Sequence, residues 1–129
     1  MTAAGTVLHR LCLIGLCAAY LQGGVAKLGD LPAALNEMAQ LGLQPVALFA
    51  TAVIVLELGA SAMVILGIGR RAGALALAAF TLAASLIALR FWDMPPGPQR
   101  FAATNGFFEH LGLVGGLLLV ALQARREGT

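Results

Sequence analysis

Four stretches of the chain are almost uninterruptedly apolar, at about 7–26, 46–67, 71–90 and 104–123. Each approaches the roughly 20 residues an α-helix needs to cross about 30 Å of hydrocarbon. The pattern therefore predicts an all-α fold, a four-transmembrane-helix bundle forming a single membrane domain over residues 1–129. Between the first two spans the pattern turns mixed. Residues 31–41 predict a short interfacial helix, with Asp30 as N-cap, Pro32 in the first turn and Gly42 as the stop. On it Leu31, Leu35, Met38 and Leu41 are expected to face lipid, and Asn36, Glu37 and Gln40 water. Residues 91–103 contain Pro95, Pro96, Gly97 and Pro98 beside Phe91 and Trp92. That predicts a loop at the membrane surface with two residues suited to the interfacial aromatic belt.

Composition strengthens the membrane reading. Of 129 residues, 60% are hydrophobic and 11% charged, with a mean hydropathy of +0.90, whereas soluble domains carry roughly a quarter charged residues. A water-soluble fold of this size could not hide so much apolar side chain in its own core, but a bilayer accepts it on the outside. Membrane lipid is thus the first expected partner. The net charge of +2 is scattered, with no basic run and one Trp and one Tyr, so no nucleic-acid partner is expected.

Charge also orients the chain. Arg10, Arg70, Arg71, Arg125 and Arg126 belong to one side, against Lys27, Arg90 and Arg100 on the other. The richer side is assigned to the cytoplasm, which places both termini there and the 28–45 and 91–103 segments outside. Arg10 before an apolar run ending at Ala18 and Ala19 has the look of a secretory signal; the segment is read here as the first transmembrane helix.

Ionisable residues inside spans cost about 2.5–3.5 kcal/mol each at the membrane centre, so each requires a reason. Glu57 lies 11 residues beyond Val46, about 16 Å deep and near the midplane. Its helical face carries Ala50, Val53, Ala60 and Ser61, small residues that admit a neighbouring helix, so Glu57 is expected to point into the bundle. The fourth span aligns Asn105, Glu109, Gly112 and Gly116; the third aligns Ala72, Ala76, Ala79, Ala83 and Arg90; the first aligns Tyr20, Gly23 and Lys27. These stripes are expected to be packing faces. Depth then gathers Lys27, Arg90, Asn105 and Glu109 in the outer third above Glu57, where two cations and two carboxylates can neutralise one another. Such a cluster either fixes helix register as paired charge or lines a pocket open to the outer leaflet, where donors meet a polar head group and a carboxylate moves protons.

His9 and His110 fall near opposite ends of their spans, about 18 Å apart in depth, so no intrachain bis-His haem is expected. No metal-ligand spacing is present. Cys12 and Cys17 lie five apart on one predicted helix, too far apart to bridge each other, and no CxxC occurs, so packing residues are the expectation.

The segments GGVAKLGDLP, LGLQP, ELGASAMVILGIGRRAGALAL and TNGFFEHLGLVGGLLL occur in this order and spacing. With Gly24 and Lys27 closing the first span, Glu57 opening the third segment and Asn105 opening the fourth span, the chain resembles the DoxX family of small four-helix bacterial membrane proteins over nearly its whole length. Relatives often have a histidine near the end of the third helix, where this chain has Arg90. The resemblance implies the bacterial inner membrane and an association with oxidoreductase systems, including quinone reduction and membrane oxidoreductase assemblies. Together with the outer-third polar cluster this leads to the expectation of a membrane subunit of an oxidoreductase system with a quinone-sized pocket in the outer half of the bundle: Tyr20, Lys27, Arg90 and Asn105 as ligand-binding donors, Glu57 and Glu109 as proton-carrying catalytic carboxylates. With no recognisable flavin, haem or iron–sulfur motif, electrons are expected from a partner subunit. The alternative is a catalytically silent accessory or anchoring subunit of a larger membrane complex, or a homo-oligomer packed through small-residue faces. A solute carrier is a third reading, with no inverted repeat to support it.

Overall fold

The computed structural model describes residues 2–126. Five α-helices follow one another: α1 (Ala3–Gly29), α2 (Leu31–Gln40), α3 (Val46–Leu66), α4 (Arg70–Ala88) and α5 (Pro98–Arg126), with a 3-10 turn at Phe91–Asp93. Helices α1, α3 and α5 and the α4–turn segment are long and apolar enough to cross a membrane. Their order and the short α2 between the first two agree with the pattern in the sequence.

Local chemistry sets the boundaries. Thr2 Oγ1 accepts from Gly5 N at 3.0 Å and starts α1. Asp30 serves two helices at once: its backbone N–H closes α1 on Ala26 O at 3.1 Å, and its side chain accepts from Ala33 N at 3.2 Å to open α2. The α3–α4 turn runs through Gly67 and Gly69, with φ of 78° and 60°, a left-handed conformation that costs any Cβ-bearing residue. Arg70 Nε then donates to Val64 O at 2.7 Å, satisfying a terminal carbonyl of α3. The fourth span begins earlier than its apolar run indicates. Residues 98–103, expected as loop, form the first turns of α5 from Pro98, because a proline at the first helical position has no intrahelical N–H bond to lose.

Helix packing runs α1 on α3, α3 on α4 and α4 on α5, each pair antiparallel, while the α1–α5 seam is sparse. Lipid tails are as apolar as leucine, so association relies on close backbone approach. A Cβ at Gly24 would stand 2.6 Å from Leu58 Cδ2, and one at Gly73 2.9 Å from Ala60 O. The core joins Leu13 and Cys17 of α1, Val64 of α3, Leu77 and Ala78 of α4 and Leu117 and Ala121 of α5. Val7, Leu8, Val55, Leu86, Leu119 and Leu122 are exposed where lipid would lie.

Three expected faces are corrected. On α4 the inward stripe is Gly73, Leu77, Thr81 and Ser85, while Ala72, Ala79, Ala83 and Arg90 are exposed. On α5 the inward residues are Ala103, Leu117, Ala121 and Ala124; Asn105, Glu109 and Gly112 are exposed and only Gly116 meets a neighbour, at Leu16. On α2, Met38 is buried and not lipid-facing. In each case the helix turns its closest-packing residues, or its longest apolar one, toward the bundle.

Candidate functional site

The most unusual buried group is Glu57. Its residue exposure is 5%, and Lys27 Nζ donates to its Oε1 at 2.8 Å. The pair joins α1 to α3. Gly23, one turn before Lys27, makes room for it: a Cβ there would lie 2.8 Å from Glu57 Oε2 and 3.4 Å from Lys27 Nζ. A largely buried ion pair persists only with good geometry, and removing either member strands a charge. Lys27 spends one of its three N–H donors on Glu57; the side chain is 18% exposed, so further donors remain for a ligand.

Two cavities meet at Lys27. One is a groove of about 240 Å³ between α2, α3 and α4. Its walls are apolar, from Met38, Leu41, Phe49, Val53, Phe80 and Ile87 among others, and its polar residues are Lys27 and Glu37. The other is an open polar cleft of about 460 Å³ between the end of α1 and α2, lined by Gln22, Gly23, Ala26, Lys27, Asp30, Ala33, Ala34 and Glu37. Lys27 and Glu37 line both. The α2 residues Met38 and Leu41, predicted to face lipid, instead wall the apolar groove.

A second polar array runs along the inward face of α4. Thr81 Oγ1 donates to Leu77 O at 2.6 Å, and Ser85 Oγ donates to Thr81 O at 2.7 Å. With those hydroxyl protons committed, Tyr20 O–H donates to Thr81 Oγ1 at 2.5 Å and His110 Nδ1–H donates to Ser85 Oγ at 2.7 Å. The array ties α1, α4 and α5 together. The Thr81 and Ser85 hydroxyls both end on backbone carbonyls, so the array does not run on as a chain of hydroxyls.

Of the residues singled out in the sequence, Lys27 and Glu57 come together, and Tyr20 is buried two turns before Lys27 on α1. Arg90 does not join them: its Nε donates to Asp93 Oδ2 at 2.8 Å with both side chains more than half exposed, and its guanidinium lies over the Trp92 ring. Asn105 and Glu109 stand exposed on α5, away from the Lys27–Glu57 pair. Phe91 and Trp92 pack edge-on against each other and against Phe107, clamping the 3-10 turn to α5. Thr81, Ser85 and the notch at Gly23 were not anticipated. Two hydroxyls four apart, in register with Gly73 and Leu77, were the available signal for the first two. Cys12 is exposed and Cys17 buried, both free thiols. Among the described residues no three His, Cys, Asp or Glu side chains gather as a metal-binding group.

No curated protein and no solved structure matches the chain. The DoxX family model matches residues 5–90, which is 86 of the 129 residues and includes α1 to α4 with Lys27, Glu57 and both cavities. With four membrane-crossing helices and a match over two thirds of its length, the chain is a multi-pass membrane protein that belongs to the DoxX family.

Proposed function

We propose that this protein is the membrane subunit of an oxidoreductase system, that it holds a quinone head group in the groove beside Lys27, and that it relies on a partner for electrons. The observation that supports this most is the form of the groove: apolar walls, with a lysine that retains free donors at one end. Ligand pockets usually run about 300–1,000 Å³. A groove of about 240 Å³ is suited to one ring with its apolar tail continuing into lipid.

A quinone supplies two-electron, two-proton redox chemistry. This chain's part is positional and protonic. Lys27 donates a hydrogen bond to a head-group carbonyl without leaving Glu57, and Met38, Phe49 and Phe80 exclude water from the ring's surroundings. Glu57 does not line the groove itself; bonded to Lys27, which does, it is the carboxylate to which we assign holding or releasing a proton there. Tyr20 supports the same region of α1 through Thr81. Arg90, Asn105 and Glu109 lie on the outward surface and serve partner or head-group contacts at the interface. The membrane is the bacterial inner membrane, and the termini and paired arginines face the cytoplasm.

The test is gentle purification followed by solvent extraction and mass spectrometry. Quinone is expected with the wild type and is expected to be lost in Lys27→Ala and in Ala84→Leu, which narrows the groove wall. Stoichiometric partner polypeptides without quinone, and unchanged partner activity in both variants, would instead establish an anchoring subunit with no redox ligand.

A further inference from the structure

The Lys27–Glu57 pair is nearly enclosed, yet its second carboxylate oxygen is not sealed. Ser61 Oγ is the one fully enclosed side-chain oxygen or nitrogen without a hydrogen-bond partner among the described residues. Glu57 Oε2 also has no partner there, and the side chain keeps 7% exposure, so Oε2 is reached from outside the bundle. The route is marked by Gly23. Glu57 itself lines neither cavity, but Gly23 stands on the wall of the polar cleft with Oε2 only 2.8 Å from where its Cβ would be, so no side chain of residue 23 separates the carboxylate from the cleft. Gly23 does not line the apolar groove.

We infer that Gly23 is a water port: its missing side chain lets water from the α2-side cleft reach Glu57, so that this carboxylate exchanges protons with the aqueous phase on that side alone. The rest of the cleft suits water, with Gln22, Asp30 and Glu37 around it and a volume of about 460 Å³, enough for several molecules. On the opposite side of Glu57, Ala60, Val64 and Leu77 close the bundle. For its use in redox turnover the inference rests on the quinone reading; its geometry does not.

Water access is measured without any redox assay. The full-length protein in liposomes is treated with a water-soluble carbodiimide and a hydrophilic amine, in parallel with a lipid-soluble carbodiimide, and labelling is read residue by residue by mass spectrometry. Glu57 is expected to be labelled by the water-soluble reagent in the wild type. Gly23→Ala, whose Cβ would stand 2.8 Å from Glu57 Oε2, is expected to reduce that labelling at least roughly tenfold by placing a methyl where water would approach the carboxylate, while Glu37 labelling is unchanged. Ala26→Leu, at a second position on the cleft wall, narrows the cleft without altering the glycine beside Oε2, and labelling is scored on protein that unfolds cooperatively. Labelling of Glu57 by the lipid-soluble reagent alone, by neither reagent, or equally in wild type and both variants would overturn the port. Quinone retention in the wild type is scored separately, so a failed port leaves the groove reading standing and a missing quinone leaves the port standing.

Discussion

A carboxylate buried within a membrane-crossing helix is tolerated here because an ammonium from another helix reaches it with one short bond, and a glycine leaves it space. Removing one partner should cost more than removing both. Lys27→Met is expected to lower stability by about 3 kcal/mol, read as a fall in the thermal midpoint in mild detergent, and Lys27→Met with Glu57→Leu to recover most of it. Equal losses in the single and double variants would show that the two charges are not coupled. The Tyr20–Thr81 bond is a neutral pair, so Tyr20→Phe is expected to cost about 1 kcal/mol and to add nothing further in Thr81→Val. Depth along an apolar run sufficed to single out Glu57 and Lys27. It did not place Arg90, because a carboxylate three residues on, Asp93, competes locally for the guanidinium and holds it at the surface. Nor does one chain's pattern reveal that Gly23 matters for the oxygen it leaves uncovered.

At the scale of the helices, close approach is concentrated at few points. Gly73→Ala should push α4 from α3, since its Cβ would meet a backbone oxygen that cannot move aside, at a cost of about 1–3 kcal/mol. Gly112→Ala, with nothing within 4 Å, should leave the monomer's melting unchanged. A comparable loss at both positions would mean that Gly112 is covered in the assembled protein. Helix number, order and approximate ends were legible because membrane-crossing length is read directly from apolar runs. Helix rotation was not. In lipid both the inward and the outward face of a helix are apolar, so the contrast that orients a soluble helix disappears. Alanine occurs on nearly every side of α4, and of the alanine stripe expected there Ala76 packs against the core while Ala72, Ala79 and Ala83 are exposed; the informative residues were Gly73, Thr81 and Ser85. On α2 the contrast existed, but the groove accepts Met38 as readily as lipid would.

For the whole molecule, an even number of crossings places both termini on one side, with α2 and the 3-10 turn on the other. Reporter fusions at either terminus are expected to be active in the cytoplasm, and a reporter inserted near Gly97 to be active outside; the reverse pattern would invert the orientation drawn from the arginines. The uneven distribution of polarity then bears on energy coupling. Beyond Glu57 the half of the bundle nearer the termini is closed by Leu13, Val64, Leu77 and Leu117, each at most 2% exposed. A carboxylate with one aqueous side and an apolar seal behind it takes up and returns its proton to the same compartment. Proton exchange at Glu57 alone therefore carries no proton from one compartment to the other, and liposomes containing the protein should hold a pH gradient as long as empty ones.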